Sequence, residues 1–265
     1  MNVIVCVKQV PGTNEVKINK ETNTIIREGV ESIINPFDMY AIEEALRIRE
    51  KRGGKVTVMS MGIPSVAGLL KETIALGADE AILLSDRAFA GADTLATSYT
   101  LSMGIKKIGS FDIVICGKQA TDGDTAQVGP SLAEKLGIPH TTYVRKIEEI
   151  REDYLRCQRL TDDGYEVIEM PLPAVITVVK EINEPRLPSL KGMMRAKKAV
   201  IPVWTSTDIN ADDDLCGLKG SPTQVVKTFV PVHDINSEML EGTVEEQAHR
   251  LADRLMSMQF MKCEN

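Results

Sequence analysis

The sequence predicts an α/β protein with a doubly wound, mostly parallel sheet, and three observations carry that prediction. Four short apolar runs stand at 3–7, 55–61, 81–84 and 112–116, each separated from the next by a segment with helical character. The last run opens into a glycine-rich loop and then a helix, the place where sheets of this class hold ligands. After Thr141 the texture changes to alternating, charged segments, which marks an antiparallel extension of the sheet.

Each element has its own warrant. The four runs are apolar on both faces, as strands covered by helices on both sides must be. The helix after the first run opens at Asn35-Pro36, with Asn35 as N-cap and Pro36 in the first turn. Met39, Ile42, Ala45 and Leu46 form its apolar face, and Gly53-Gly54 stop it. Residues 65–76 read as the second helix and 94–108 as the third, with Leu95, Leu101 and Ile105 toward the core. Residues 127–136 read as the fourth. The segments 143–160 and 165–182 alternate as strands around an Asp162-Asp163-Gly164 hairpin turn. From Asn183 the chain loses periodicity, carries Pro185, Pro188 and Pro202, and reads as an exposed arm or loop. A late helix is marked by a Thr243/Glu246 capping box and by Val244, Ala248, Leu251 and Leu255 on one stripe, which should dock on the chain or a partner.

Composition excludes several functions. A net charge of −7 argues against a general nucleic-acid binder. No stretch approaches the roughly 20 apolar residues that span a bilayer, and MNVIVCVKQVPG lacks a signal peptide's basic head, so a cytoplasmic protein without membrane insertion is expected. Cys6, Cys116, Cys157, Cys216 and Cys263 are odd in number and widely spaced, which indicates neither a disulfide framework nor an iron–sulfur or zinc site. Cys6 and Cys116 read as core residues. His140, His233 and His249 are scattered and do not form a metal set.

The chemistry concentrates in GKQATDGDTAQVGP at 117–130. Gly117, Gly123 and Gly129 permit close backbone approach. A helix beginning near Thr125 would offer unpaired N–H groups and a positive dipole end to a pyrophosphate. Thr121, Thr125 and Gln127 add side-chain donors, while Asp122 and Asp124 suit ribose hydroxyls, helix capping or loop closure. The loop by itself reads equally as an Asp-Gly turn before a helix; the surrounding βα pattern favours a Rossmann-like, adenine-nucleotide-binding crevice. That crevice would draw also on 7–11, 60–62 and 85–94, which follow the other strands. No catalytic acid, base, nucleophile or metal set accompanies it.

Read together, VIVCVKQVP at 3–11, INPFDMYAIEEALRIRE at 34–50, GKQATDGDTAQVGPSLAEKLG at 117–137 and EINEPRLPSLKGMMRAKK at 181–198 resemble the beta subunit of electron-transfer flavoproteins. The resemblance covers nearly the whole chain. It implies a heterodimer with a larger alpha subunit that carries one FAD, while the beta subunit binds a nucleotide of its own, AMP in most members. The contacts it implies are Cys6, Val7, Lys8, Asn35, Pro36, Phe37, Asp38 and Met61. In the loop they are Asp122, Gly123, Asp124, Thr125, Ala126, Gln127, Val128 and Gly129, and Gly117, Gln119 and Thr121 complete the candidate set from the loop itself.

Asp122-Gly123-Asp124-Thr125 and SDRAFAGADTLATSY at 85–99 resemble the electron-bifurcating branch. There the second nucleotide is an FAD that exchanges a hydride with NAD(H) and sends electrons to ferredoxin or flavodoxin and to an FAD-dependent dehydrogenase, in a strictly anaerobic metabolism. Ala90-Gly91-Ala92 would leave room at the crevice mouth, with Asp93, Thr94 and Thr97 bonding ring or ribose atoms. Asp93 serves equally as a helix N-cap. The arm resembles the family's partner-recognition loop, with Leu190 as its anchor and Lys191 and Arg195 beside it, although the basic cluster alone reads as a solvated loop. The implied organisation is a nucleotide-binding α/β domain at 1–183, a recognition loop at 184–202, and a C-terminal arm and helix at 203–265 that contact the large subunit. A stand-alone adenine-nucleotide-binding module is the rival from another class.

Overall fold

The computed structural model describes residues 1–12, 17–19, 24–26, 31–226 and 237–258. Its contacts divide the chain into two units, Met1–Val226 and Lys227–Asn265. In the first unit the elements are, in order, β1 (Asn2–Cys6), β2 (Gln9–Pro11), β3 (Lys17–Asn19), β4 (Thr24–Ile26), β5 (Ser32–Ile34), α1 (Pro36–Arg52), β6 (Lys55–Met61), α2 (Val66–Leu76), β7 (Glu80–Leu84) and α3 (Thr94–Ile108). There follow β8 (Ile113–Gly117), α4 (Val128–Leu136), β9 (His140–Ile150), β10 (Tyr154–Thr161), β11 (Gly164–Pro171), β12 (Ala174–Val178), α5 (Leu190–Lys198) and β13 (Val203–Trp204).

One nine-stranded sheet runs β11-β10-β9-β12-β8-β1-β6-β7-β13. From β9 to β13 every pairing is parallel, whereas β10 pairs antiparallel with β9 and β11 antiparallel with β10. Alternation along β1 shows why the strands are apolar throughout. Val3 and Val5 join a core with α1, α2 and α5, while Ile4 and Cys6 join a second core with α3 and α4 on the opposite face. The doubly wound architecture expected from the sequence is therefore present, and the hairpin turns at Asp162-Asp163 between Thr161 and Gly164.

Several elements differ from the sequence reading. Residues 165–182 are not one strand, because Pro171 and Pro173 lack the N–H that a ladder needs. Past them the fully buried Ala174–Val178 inserts as β12 between β8 and β9. Leu101 and Ile105 are buried as expected, whereas Leu95 is 42% exposed and Ala96 is buried in its place. The fourth helix, read at 127–136, spans Val128–Leu136, so its start lies at Val128 and not near Thr125.

The arm after Asn183 is helical over α5. The Ser189 hydroxyl accepts from the Gly192 N–H at 3.0 Å, and Gly192 brings α5 against α2 so closely that a Cβ would lie 2.0 Å from the Ala75 carbonyl oxygen. The Arg195 guanidinium donates to the Ile74 and Ala78 carbonyls beside the end of α2. Ahead of α5, Arg186 Nε donates to Glu43 Oε2 at 2.7 Å, pinning the arm's base to α1. The segment 203–226, expected in the C-terminal arm, belongs to the first unit: β13 extends the sheet beside β7, and Ile209 and Cys216 are buried.

The second unit contains α6 (Val244–Ser257), whose Thr243/Glu246 capping box forms as the sequence indicated. Among the described residues no helix is long and apolar enough to cross a membrane. His140 and His249 are exposed and Cys6, Cys116, Cys157 and Cys216 are buried, whereas His233 and Cys263 lie outside the described residues.

Candidate functional site

Strand order places the site. From β1 the chain moves to β6 and β7 on one side, then returns to β8 on the other, so the order reverses between β1 and β8. In open sheets the crevice at such a reversal, beyond the carboxyl ends of the strands, is where ligands bind. Cys6 ends β1 with Val7 and Lys8 just beyond it, and Gly117 ends β8 where the loop to Gly129 begins.

Asn35 and Asp38 tie the crevice together. Although Asn35 occupies the N-cap position of α1, its side chain makes no capping bond. It is 1% exposed and donates from Nδ2 to Asp38 Oδ1 at 3.0 Å and to the Gln119 carbonyl at 2.8 Å. Its Oδ1 accepts from the Thr121 N–H at 3.1 Å. The expected cap is thus a strut between α1 and the loop. Asp38 Oδ2 accepts from the Lys8 N–H at 2.7 Å. Burial pushes the Asp38 carboxyl up to about 7, outweighing the bonds from Asn35 and from the Lys8 and Gly117 backbones that favour the charged form. A Cβ on Gly117 would stand 2.3 Å from Asp38 Oδ1, so only glycine lets α1 approach β8 this closely.

The loop closes on itself. Lys8 Nζ meets Asp122 Oδ1 at 2.6 Å across the reversal, and the Gln119 side-chain amide donates to the Asp124 carboxylate. Of the roles open to the two aspartates, these contacts are loop closure. Asp124 and Ala126 both take φ +54°, a left-handed conformation that non-glycine residues seldom adopt and that recurs at ligand sites. Residues 121–125 are exposed. The first turn of α4 supplies the unpaired N–H groups three residues later than the sequence suggested, at Val128 and Gly129.

A second helix start meets the first. Thr94 Oγ1 donates to Thr125 Oγ1 at 3.3 Å, and the Ser98 and Ser131 hydroxyls bond at 2.6 Å. The starts of α3 and α4 therefore meet at the crevice; that of α4, which no side chain caps, is the one suited to a phosphate. Asp93 Oδ1 accepts from the Leu95 and Ala96 N–H groups, and its Oδ2 accepts from the Thr223 backbone and hydroxyl. Burial opposes the charge, but the bonds from Ala96 and Thr223 prevail and hold its pKa below the ordinary value. Asp93 caps α3 and holds Ser221 and Thr223, leaving Thr94 against Thr125 at the crevice, with the half-buried Thr97 one turn later on α3. Gly91, with φ +73°, packs on Leu218, so the space sequence assigned to Ala90-Gly91-Ala92 is partly filled by that side chain.

The remaining positions are structural neighbours of the crevice. Cys6 and Val7 are buried and could offer a ligand only backbone. The Cys116 thiol, pushed well above its ordinary range by the adjacent Cys6 and by burial, is held as the neutral form. Met61 ends β6, packed against the core of α3 and α4, while Pro36 is exposed and Phe37 half-buried at the start of α1. A cavity of about 230 Å3 borders the second half of α1, lined by Glu44, Ile48, Lys51, Arg52 and Ile147, away from Asn35 and Asp38.

The Electron transfer flavoprotein domain family matches residues 22–209. The electron transfer flavoprotein subunit beta of Thermoanaerobacterium thermosaccharolyticum is 54% identical over 258 residues, covering 97% of this chain and 98% of that protein. The chain belongs to the electron-transfer flavoprotein beta-subunit family. It is also 51% identical over 257 residues to the caffeyl-CoA reductase-Etf complex subunit CarD of Acetobacterium woodii, with 96% of this chain and 98% of the relative covered. Protein FixA of Azorhizobium caulinodans is 44% identical over 238 residues, 87% and 85% of the two chains. As a beta subunit of this family, the chain implies an alpha-subunit partner and works as an electron-transfer component of a redox complex.

In this electron-transfer flavoprotein subunit, sequence reasoning missed the parts of the candidate site supplied by distant segments. Ser221, whose hydroxyl accepts from the Asp93 N–H at 2.8 Å, and Thr223 come from a stretch with no helical or strand period. Thr177 and Tyr143 lie in strands read only for their alternation.

Proposed function

We propose that this subunit binds an FAD in the β1/β8 crevice, exchanges a hydride with NAD(H) there, and divides the electrons between ferredoxin or flavodoxin and an FAD-dependent dehydrogenase, as a cytoplasmic protein. When bound, the FAD would supply the hydride and single-electron chemistry, and the protein supplies position and electrostatics. The uncapped start of α4 beside a loop that carries no side chain at Gly123 supports this reading: the nearest atom to a Cβ there is Lys8 Nζ, at 3.8 Å. A diphosphate beside the first turn of α4 would meet no side chain at position 123. The Val128 and Gly129 N–H groups with Thr94, Thr97, Thr121, Thr125 and Gln127 would be its donors. The resemblance of residues 85–99 and 122–125 to the bifurcating branch favours FAD over AMP, and the relative from a caffeyl-CoA reductase-Etf complex supports an acyl-CoA-type dehydrogenase or reductase as partner.

The test is the nucleotide content of the purified complex with its large subunit, released by denaturation and separated by chromatography. Two FAD per heterodimer is the expected result, followed by NADH-dependent ferredoxin reduction. One FAD with one AMP would make this chain a structural and docking subunit in a simple carrier.

The surface of α5 is the proposed dehydrogenase dock. Leu187, Leu190 and Met194 are exposed at 88%, 74% and 62%, with Lys191, Lys197 and Lys198 around them. An exposed apolar anchor ringed by charge suits a transient interface. Arg195 leaves this set, because its guanidinium is engaged by the α2 carbonyls. Leu190→Ala is expected to slow electron exchange with the dehydrogenase about tenfold while leaving bound nucleotide unchanged. Unaltered stopped-flow kinetics would remove Leu190 from the dock.

A further inference from the structure

Tyr143 adopts φ +58°, an outlier conformation for a bulky residue, of the kind that gathers at functional sites. It stands in a bulge between β9 and β12: Ile176 faces Thr141 but Val178 faces Val144, so Thr142 and Tyr143 together oppose Thr177. Bulges re-aim side chains. Here the ring meets Lys118, whose Nζ lies 5.2 Å from the Tyr143 ring centroid and 5.9 Å from that of Phe37. Both distances fall within the reach of cation–π attraction. Lys118 is the residue between Gly117 and Gln119, so the two rings hold the entry of the loop.

The same bulge reaches the loop's exit. The Tyr143 N–H donates to Thr177 Oγ1 at 3.2 Å. Thr177 is 3% exposed, and its Cγ2 lies so close beneath Gly129 that a Cβ there would be 2.3 Å away. Gly129 belongs to the first turn of α4, whose N–H groups face the crevice.

We infer that the Tyr143 bulge is a buttress that positions both ends of the nucleotide loop, through Lys118 at its entry and Thr177 at its exit. This rests on the nucleotide reading of the crevice and adds three positioning residues to it. With both ends held, the donors between them are ordered before the ligand arrives. Releasing either end moves that ordering cost into the binding step.

The experiment is equilibrium dialysis of AMP and of FAD against the full chain in complex with its large subunit, with the large subunit alone as the blank. Tyr143→Gly removes the ring while making φ +58° easy, and Lys118→Met removes the cation at a half-buried position. Each is expected to weaken binding about tenfold, whereas Tyr143→Phe, which keeps the ring, stays within about twofold of wild type. Wild-type affinity in Lys118→Met overturns the buttress even if Tyr143→Gly folds poorly. A wild-type complex that binds neither probe at this subunit overturns the nucleotide reading and the buttress with it; normal wild-type binding with unaffected variants overturns the buttress alone.

Discussion

Replacing Gly117 with alanine is expected to cost about 3 kcal/mol of stability and to empty the crevice of nucleotide. The new Cβ would stand 2.3 Å from Asp38 Oδ1, 2.7 Å from the Phe37 carbonyl carbon and 2.8 Å from the Asp38 nitrogen. Two of these are backbone atoms, which cannot swing aside as a side chain can. The first turn of α1 must therefore retreat from β8, and Asn35 loses its grip on Gln119 and Thr121. Gly123→Gln is the contrasting change. Its Cβ meets nothing closer than Lys8 Nζ at 3.8 Å, so stability should hold while the longer side chain crowds the ligand. Urea midpoints and released nucleotide, measured on both variants, separate the effects. A Gly117→Ala protein with wild-type midpoint and occupancy would show that the close approach of α1 to β8 is dispensable.

Asp38→Asn is expected to remove a pH dependence that the wild-type protein carries between about pH 4 and pH 7. In the folded chain burial keeps the Asp38 proton on up to about 7, whereas its ordinary value is 3.8. Across that interval the folded state binds more protons than the unfolded state. Stability therefore falls as pH rises through it and levels off above the folded value. At about 1.4 kcal/mol per pH unit, the full interval corresponds to about 4 kcal/mol at most. Asparagine does not ionise, but its amide can turn only one oxygen toward the donors. The Lys8 N–H or the Asn35 amide then loses its acceptor, a loss of about 1 kcal/mol. Relative to wild type, the variant should be less stable at pH 5 and regain ground by pH 8. Urea denaturation of both proteins at the two pH values provides the measurement. A wild-type-minus-variant difference that is flat from pH 5 to 8 would mean that Asp38 is ionised throughout.

The βα units were legible because each depends on residues close together in the chain. The run at 55–61 became β6 without adjustment, and Pro36 with Gly53 bounded α1 as read. The α4 start was displaced because Asp124 and Ala126 take left-handed backbone angles that hold the loop open for three more residues. The arm was misread because α5 covers only nine residues, too few to form reliably from propensity alone. Its stability comes from α2, through Gly192 and Arg195.

The sequence by itself determined the alternation of strands and helices, the glycine loop, the capping of α6 and the family to which the chain belongs. Only the tertiary structure decided that Asn35 braces the loop instead of capping a helix, that Asp93 holds Ser221 and Thr223, and that Tyr143 reaches Lys118. The reason is physical. Asn35 and Thr121 are 86 residues apart, and Asp93 and Thr223 are 130 apart. Such bonds form when strand order and register bring the segments together, and local periodicity encodes neither.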